Sequence, residues 1–303
     1  MSQAAIWIKN PLAIFAQDSD GGIVIKGQKI IELVPLGVRP KSQIDEVYDA
    51  SGSVVLPGLI NTHHHFYQTL TRAYPEALNK ELFPWLKSLY KVWANIQPEM
   101  LAVSTELALS ELLLSGCTTA SDHHYLFPSQ LENAIDIQVE EAQKIGMRVV
   151  LTRGSMSLGE KDGGLPPQSV VQTKEQILTD SERLIKAYHE SEEGAMTQIA
   201  LAPCSPFSVT TDLMIETAEI AQQYDVRLHT HLAETIDEEN FCLDKFGLRT
   251  VDYLESVGWL SDRTWLAHGI HFNQQEIQKL GDFGVGICHC PSSNMVLASG
   301  ICH

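Results

Sequence analysis

The sequence is poor in positive charge. Its 21 lysine and arginine residues stand against 38 aspartate and glutamate residues, which gives a formal net charge of −17 at pH 7. Proteins that bind DNA or RNA neutralise backbone phosphates with basic side chains, so this balance argues against a nucleic-acid partner. It favours a small ligand that is neutral or weakly charged.

The sequence also lacks the apolar segments of exported and membrane proteins. No basic start followed by an apolar stretch marks a signal peptide, and no apolar run is long enough to span a bilayer. The six cysteines contain no Cys-x-x-Cys pair, so we interpret them as reduced thiols. We therefore expect a cytoplasmic protein that does not associate with membranes.

A glycine-rich phosphate loop is missing as well. From Val54 onwards, seven apolar, β-branched runs alternate with helical patterns, which predicts an α/β fold with a parallel sheet covered by helices. Such a sheet is either open and doubly wound or closed into a (β/α)8 barrel. An open sheet typically carries the glycine-rich loop after its first strand, where this chain has His63-His64-His65. The pattern therefore favours the TIM-type barrel.

The predicted strands divide the chain into two parts. Short strands and turns over residues 1–53 predict a partial β-sandwich domain, and residues 54–303 predict the barrel. The barrel pattern contains seven strands before the chain stops at His303. We therefore expect the eighth strand, and the remaining strands of the small domain, to belong to a longer protein.

Histidines recur where the predicted strands end. They are His63, His65, His123, His124, His229, His231, His268 and His271. Side chains alternate along a strand, so His63 and His65 project in the same direction. A lone His-x-His is usually just polar, and His268 alone could be a buried histidine with its hydrogen bonds satisfied. In a barrel, however, these strand ends meet at one face, where several imidazoles can bind a divalent metal ion.

Glu234 lies three residues after His231, in the sequence His-Leu-Ala-Glu. A carboxylate at this spacing can sit over a water molecule at the metal and carry its proton to the substrate. The alternative is a carboxylate at the start of a helix that faces solvent. The His-x-His-x-x-Glu context favours the proton shuttle.

Four motifs in this order resemble the amidohydrolase superfamily. They are Pro57–His65, His231–Glu234, Ala267–Gly269 and Cys290–Asn294. The resemblance implies one divalent metal ion, usually zinc with iron as an alternative, bound by His63, His65 and His231. It also implies a fourth ligand, an aspartate on the eighth strand beyond this chain. Glu234 would be the proton shuttle and His268 would orient the attacking water or help to deprotonate it.

Within the superfamily, the chain looks most like the 8-oxoguanine deaminases, which are often named hydroxydechloroatrazine ethylaminohydrolases. The matching stretches are Asn61–Arg72, Leu82–Leu86 and Ser121–Pro128. This resemblance implies a purine-catabolic hydrolase that converts 8-oxoguanine to urate and ammonia. Relatives are commonly dimers or larger, so a homodimer is a candidate assembly.

Three residues are candidate readers of the heterocyclic substrate: Gln68, Tyr125 and Cys204. Gln68 and Tyr125 can present hydrogen-bonding groups to a purine edge, and Cys204 occupies a position that reads the substrate in related deaminases. Each also has a structural alternative, as a loop cap, as packing under the rim and as packing at a strand end, respectively.

Other functions remain open at this level. A deaminase of isoxanthopterin, guanine or an adenosine-type nucleoside would use the same metal site, as would a triazine chlorohydrolase or aminohydrolase. A metal-binding barrel without catalytic activity is a further alternative, but the predicted carboxylate of Glu234 beside the metal argues against it.

Overall fold

The computed structural model describes residues 3–302. Contacts divide this part of the chain into two compact units. The first runs to Leu59 and includes Glu192–Gly194, and the second comprises Ile60–Ser191 and the chain from Ala195 onwards. None of the helices in the described residues is both long and apolar enough to cross a membrane.

The first unit is built of β-strands. In chain order they are β1 (Ala5–Lys9), β2 (Ala13–Ile14), β3 (Gly22–Lys26), β4 (Lys29–Val34), β5 (Glu46–Asp49) and β6 (Val54–Val55). A four-stranded sheet has the order β4-β3-β1-β5, in which β5 runs parallel to β1 and the other pairs are antiparallel. The short strands β2 and β6 pair separately. Ala5, Val24 and Val34 are the buried core of this unit, with Trp7 and Ile44 packed against them.

The second unit contains a sheet whose strand order follows the chain. Its strands are β7 (Leu59–Asn61), β8 (Cys117–His124), β9 (Arg148–Ser155), β10 (Thr197–Pro203), β11 (Leu228–Leu232), β12 (Thr264–His268) and β13 (Gly286–Cys288). Neighbouring strands from β8 to β13 are parallel. Strands such as β10 and β11 are almost wholly buried, as expected for a parallel sheet that is covered on both faces.

Helices alternate with these strands. In chain order they are α1 (Leu82–Trp93), α2 (Pro98–Leu114), α3 (Ala134–Ile145), α4 (Lys174–Tyr188), α5 (Thr211–Tyr224), α6 (Ile236–Phe246), α7 (Thr250–Ser256), α8 (Gln274–Asp282) and α9 (Pro291–Val296). Capping boxes begin α4, at Thr173 and Gln176, and α8, at Asn273 and Glu276. Gly146 ends α3 in the left-handed conformation. The predicted alternation of strands and helices is confirmed.

The parallel sheet curls so that its first and later strands approach each other. The indole Nε1 of Trp265, on β12, donates a hydrogen bond of 3.0 Å to the carbonyl of Thr62, just after β7. The ring of His63 lies 5.0 Å from that of His229 and 5.8 Å from that of His268, between ring centroids. A TIM-like α/β architecture therefore brings the carboxyl ends of the strands to one place.

The structure differs from three local predictions, which are one strand over residues 54–61, a long aromatic-rich connection over residues 73–95 and a seventh strand over residues 285–290. The run 54–61 is not one strand, because Pro57 has no N–H to donate and separates β6 from β7. The aromatic connection over residues 73–95 contains the helix α1. The seventh strand ends at Cys288 rather than Cys290, since Pro291 begins the short helix α9.

Candidate active site

A cavity of about 440 Å³ opens in the second unit, at the carboxyl ends of the parallel strands. All the site residues predicted from the sequence border it. They are His63, His65, Gln68, Tyr125, Cys204, His231, Glu234 and His268. His64, expected to face the other way, also borders the cavity, because the strand has ended at Asn61 and the alternation of side chains no longer applies.

Four imidazoles form a compact cluster in this cavity wall: His63, His65, His123 and His231. Each offers a ring nitrogen, and these nitrogens lie within 4.8 Å of one another. His123 and His231 are buried, and the other two are half-buried. The cluster unites residues from β8 and β11 with the segment that follows β7.

Backbone carbonyls fix the tautomers of His65 and His231. The Nδ1 atom of His65 is 2.7 Å from the carbonyl oxygen of His123, and Nδ1 of His231 is 2.7 Å from the carbonyl oxygen of Cys204. A carbonyl oxygen only accepts hydrogen bonds, so both Nδ1 atoms carry the proton and donate it. Each neutral ring is left with its Nε2 lone pair free.

The tautomer of His63 is fixed by a longer relay. Nδ1 of His229 lies 2.8 Å from the carbonyl oxygen of Trp265 and donates to it, so its Nε2 is an acceptor. That Nε2 is 2.8 Å from Nδ1 of His63, which therefore carries a proton and donates it. His63 also presents a free Nε2 lone pair. The Trp265 ring stacks on His229, with 4.3 Å between centroids, and helps to hold the relay in place.

Burial keeps these rings neutral. Desolvation lowers the pKa of His63 and of His231 well below the usual histidine value, and lowers that of His65 and of His229 to about 3. Neighbouring imidazoles reinforce the shift for His63 and His231. Neutral imidazoles are the form that binds metal ions.

The donor set fits a divalent metal ion. The Nε2 atoms of His65 and His231 are 3.2 Å apart, although both are lone-pair acceptors and no proton is available to join them. A cation would satisfy both lone pairs at once. Two nitrogens bound to a tetrahedral zinc at about 2.0–2.1 Å are separated by about 3.3 Å, close to the distance found here.

Glu234 and His268 form a second polar group beside the imidazole cluster. Glu234 Oε2 lies 3.4 Å from His268 Nε2, and Ser299 Oγ lies 3.5 Å from Glu234 Oε1. His268 Nδ1 donates to Asn294 Oδ1 at 2.9 Å, so His268 Nε2 faces the carboxyl group as an acceptor. Burial raises the pKa of Glu234. The carboxyl group and the imidazole therefore lie side by side in the wall of the cavity.

The three candidate substrate readers occupy different walls. Tyr125 is buried, and its ring meets that of His65 edge-on at 5.4 Å. Gln68 is half-buried and donates to the hydroxyl of Tyr67 at 3.4 Å. The thiol of Cys204 is neutral, since burial raises its pKa to about 12, and it lies 3.9 Å from Nδ1 of His231. The carbonyl of Cys204 thus orients His231 while its thiol borders the cavity.

Sequence patterns assign no individual role to several residues that the structure brings into the site. His229 supports His63, and Asn294 supports His268. His123 donates from Nε2 to the carbonyl of Ala202 at 3.0 Å, and its buried Nδ1 has no partner among the described residues. The sequence feature that could have identified His229 is its position two residues before His231, which places both side chains on the same face of β11.

Residues 54–303 match a family model described as "Amidohydrolase family". The chain belongs to the amidohydrolase family. The match spans all the predicted ligand and proton-carrying residues, so the imidazole cluster lies within the region that defines this amidohydrolase.

Known relatives of this amidohydrolase include two enzymes of Pseudomonas. The 8-oxoguanine deaminase of Pseudomonas aeruginosa strain PAO1 is 66% identical over 299 residues, covering 98% of this chain and 67% of the relative. The hydroxydechloroatrazine ethylaminohydrolase of Pseudomonas sp. strain ADP is 34% identical over 277 residues, covering 90% of this chain and 57% of the relative. The chain therefore spans roughly two thirds or less of these proteins.

A solved structure shares the fold of the amidohydrolase chain. The atrazine chlorohydrolase TrzN of Arthrobacter aurescens TC1, complexed with zinc, matches with a TM-score of 0.90 and 30% sequence identity. The match covers 98% of this chain and 68% of TrzN. The family model and the two Pseudomonas relatives confirm the resemblance to the amidohydrolase superfamily and to 8-oxoguanine deaminase.

The buried histidines predict an acid-sensitive fold, which His124 can test. This fully buried ring lies outside the cavity and donates from Nε2 to the carbonyl of Leu126 at 2.7 Å; burial lowers its pKa to about 3. The unfolded chain binds a proton at His124 below about pH 6.5 and the folded chain does not, so acidification favours unfolding. Between pH 6 and 5, this one group should cost about 1 kcal/mol of unfolding free energy.

The measurement is chemical denaturation at pH 7, 6 and 5 for the protein and for His124→Gln, whose amide can keep the hydrogen bond to Leu126 without titrating. The free energy of unfolding should fall more steeply with acidification in the unsubstituted protein. Parallel pH dependences for the two proteins would contradict the assignment of His124 as a neutral buried group.

Proposed function

We propose that this chain carries most of the active site of a metal-dependent hydrolytic deaminase. Its substrate would be 8-oxoguanine, which takes up water and yields urate and ammonia. The enzyme would be a hydrolase of carbon–nitrogen bonds in cyclic amidines, with a small heterocycle as its partner. The substrate assignment rests on the 66% identity to the 8-oxoguanine deaminase of P. aeruginosa.

One observation carries the reaction class: three neutral imidazoles present lone pairs to each other beside a carboxyl–imidazole pair. His63, His65 and His231 would hold a single divalent ion, for which we propose zinc, with iron as the alternative. The zinc complex of TrzN supports this choice. A divalent ion bound there supplies Lewis-acid activation of water at neutral pH.

Glu234 and His268 would handle the protons. The raised pKa of Glu234 suits a group that takes a proton from the attacking water and gives it to the ring nitrogen next to the amino-bearing carbon. His268 is held by Asn294 with its Nε2 toward Glu234, so it can orient the same water. The second proton of the water then passes to the amino group, the carbon–nitrogen bond breaks, and the amino group leaves as ammonia.

The cavity suits a flat heterocycle. Trp85 and Phe207 form apolar parts of its wall, and Gln68 and Tyr125 offer hydrogen-bonding groups to a purine edge. Cys204 adds a small, neutral thiol. We propose that these last three residues read the substrate. Isoxanthopterin, guanine, an adenosine-type nucleoside or a triazine would require the same metal site with different contacts to these residues.

The proposal extends to the architecture of the longer protein. An eighth strand beyond residue 303 would close the barrel of residues 54–303 and supply an aspartate as a fourth metal ligand. Residues 1–53 would belong to a β-sandwich domain completed by later residues. The exposed edge of β13, with Ile287 43% accessible, is consistent with a strand that pairs there. We propose that this longer protein is cytoplasmic and forms a homodimer.

The substrate is tested by ammonia release from a panel of heterocycles. The full-length, zinc-loaded protein should have its highest kcat/KM on 8-oxoguanine, above isoxanthopterin, guanine, adenosine and amino- or chlorotriazines. A higher kcat/KM on another member of the panel would reassign the substrate. A zinc-loaded protein that is inactive on the whole panel would favour the metal-binding barrel without catalysis.

Replacing His231 with alanine should abolish metal retention, because a nitrogen donor is lost from the centre of the cluster. The metal content after gel filtration, measured by inductively coupled plasma mass spectrometry, should fall from about one ion per chain to near zero. His189→Ala is the matched control, since His189 bonds to Ile199 outside the cavity. Full metal content in His231→Ala would remove it from the ligand set.

Replacing Glu234 with glutamine should leave the metal bound and lower kcat by about 10²–10⁴-fold, because an amide cannot carry the proton. Glu219→Gln, on an exposed position of α5, is the control and should retain activity. Turnover of Glu234→Gln near that of the control would exclude the shuttle role.

A further inference from the structure

The loop after β11 is held by a buried carboxylate. Glu238, on the first turn of α6, is fully buried, and its Oε1 accepts the backbone N–H of Ala233 at 3.1 Å. Its Oε2 accepts the backbone N–H of Glu234 at 2.9 Å. We propose that Glu238 is a positioning residue that aims the Glu234 side chain at the metal centre. This inference rests on the proton-shuttle role proposed above.

The bonds of Glu238 differ from those of an ordinary helix cap. In α8 the third residue, Glu276, accepts the N–H of its own N-cap residue, Asn273, at 2.7 Å. In α6 the N-cap residue Thr235 accepts from the Glu238 N–H, but the Glu238 carboxylate reaches past Thr235 to the two preceding residues. Both oxygens of the Glu238 carboxylate therefore bind the loop that carries Ala233 and Glu234.

The backbone of this loop adopts a conformation that needs support. Ala233 has a φ of +52°, in the left-handed region that non-glycine residues rarely occupy. The carbonyl of Ala233 accepts hydrogen bonds from the N–H groups of Ile270 at 2.8 Å and His271 at 3.0 Å. The loop is thus tied on one side to the segment after His268 and on the other to Glu238. These two sets of hydrogen bonds fix the backbone at Ala233 and Glu234, and so set the direction of the Glu234 side chain.

Glutamate suits this position because both oxygens of its ionised carboxylate accept hydrogen bonds. Burial raises the pKa of Glu238 to about 8, and the two N–H bonds from Glu234 and Ala233 oppose this shift by stabilising the ionised form. A glutamine has nearly the same size, but its NH₂ group would face one of the two backbone N–H groups without an acceptor between them. One of the two hydrogen bonds to the loop would be lost, and a buried N–H donor would be left unpaired. The loop would shift while the helix and the metal ligands stay in place.

The test compares Glu238→Gln with Glu276→Gln, which removes a buried carboxylate at the equivalent position of α8. Both variants are prepared in the full-length, zinc-loaded protein. In Glu238→Gln, kcat for 8-oxoguanine should fall about 10²-fold, as for a misplaced catalytic group, while KM and zinc content stay unchanged. In Glu276→Gln, kcat should stay within about threefold of the unsubstituted protein, because Glu276 makes no bond to Ala233 or Glu234. Its carboxylate bonds to Asn273 and Arg249, and the amide oxygen of glutamine can keep a bond to Arg249.

Hydrogen exchange gives a readout that does not depend on activity. Amides of Ala233–Thr235 should exchange faster in Glu238→Gln than in Glu276→Gln, measured by mass spectrometry on peptides spanning β11 and the start of α6. Unchanged exchange there, or a fall in kcat that comes with loss of zinc, would overturn the positioning role. Absence of ammonia release from the unsubstituted protein would contradict the proposed function instead, and the exchange comparison would still decide whether Glu238 holds the loop.

Discussion

The convergence of neutral imidazole lone pairs is the constraint on which the site depends. His65 and His231 point their Nε2 atoms at each other across 3.2 Å, and both donate hydrogen bonds from Nδ1 to backbone carbonyls. Burial opposes the extra proton that could join them. Without a cation, two imidazole lone pairs face each other at this short distance, which is unfavourable. A positive ion between the rings would remove this repulsion.

The parallel sheet creates this constraint through its backbone. The carbonyls that orient the ligands come from His123 on β8, from Cys204 just after β10 and, through His229, from Trp265 on β12. Each is a group at or near a strand, so the position of each imidazole is tied to the register of its neighbours. A one-residue slip of a strand would turn its histidines to the opposite face. The correct strand register is therefore needed to bring the imidazoles of the proposed metal site together.

The sequence predicted the features that depend on short-range pattern. The alternation of apolar runs and helical segments gave the parallel sheet, and the strand-end rule brought His63, His65, His231, Glu234 and His268 to one cavity. It did not predict features decided by tertiary contacts. The helix α1 was missed because Pro84 and its aromatic residues obscure the helical period, although Pro84 lies in the first turn, where proline is tolerated. The relay from Trp265 to His63 joins residues on distant strands and leaves no local pattern.

The site residues lie in two kinds of backbone, regular strand and left-handed conformations at the strand ends. The proposed ligand His231 lies inside β11, where the ladder to β12 fixes it. The residues proposed to handle protons lie where the strands end: Glu234 follows Ala233 at φ +52°, and His268 itself has a φ of +77°. Left-handed backbone at two non-glycine residues is costly, and it persists only where surrounding bonds enforce it. One left-handed residue precedes Glu234 and the other is His268 itself. The directions of these two side chains are therefore enforced by contacts in the surrounding fold and not by the strands alone.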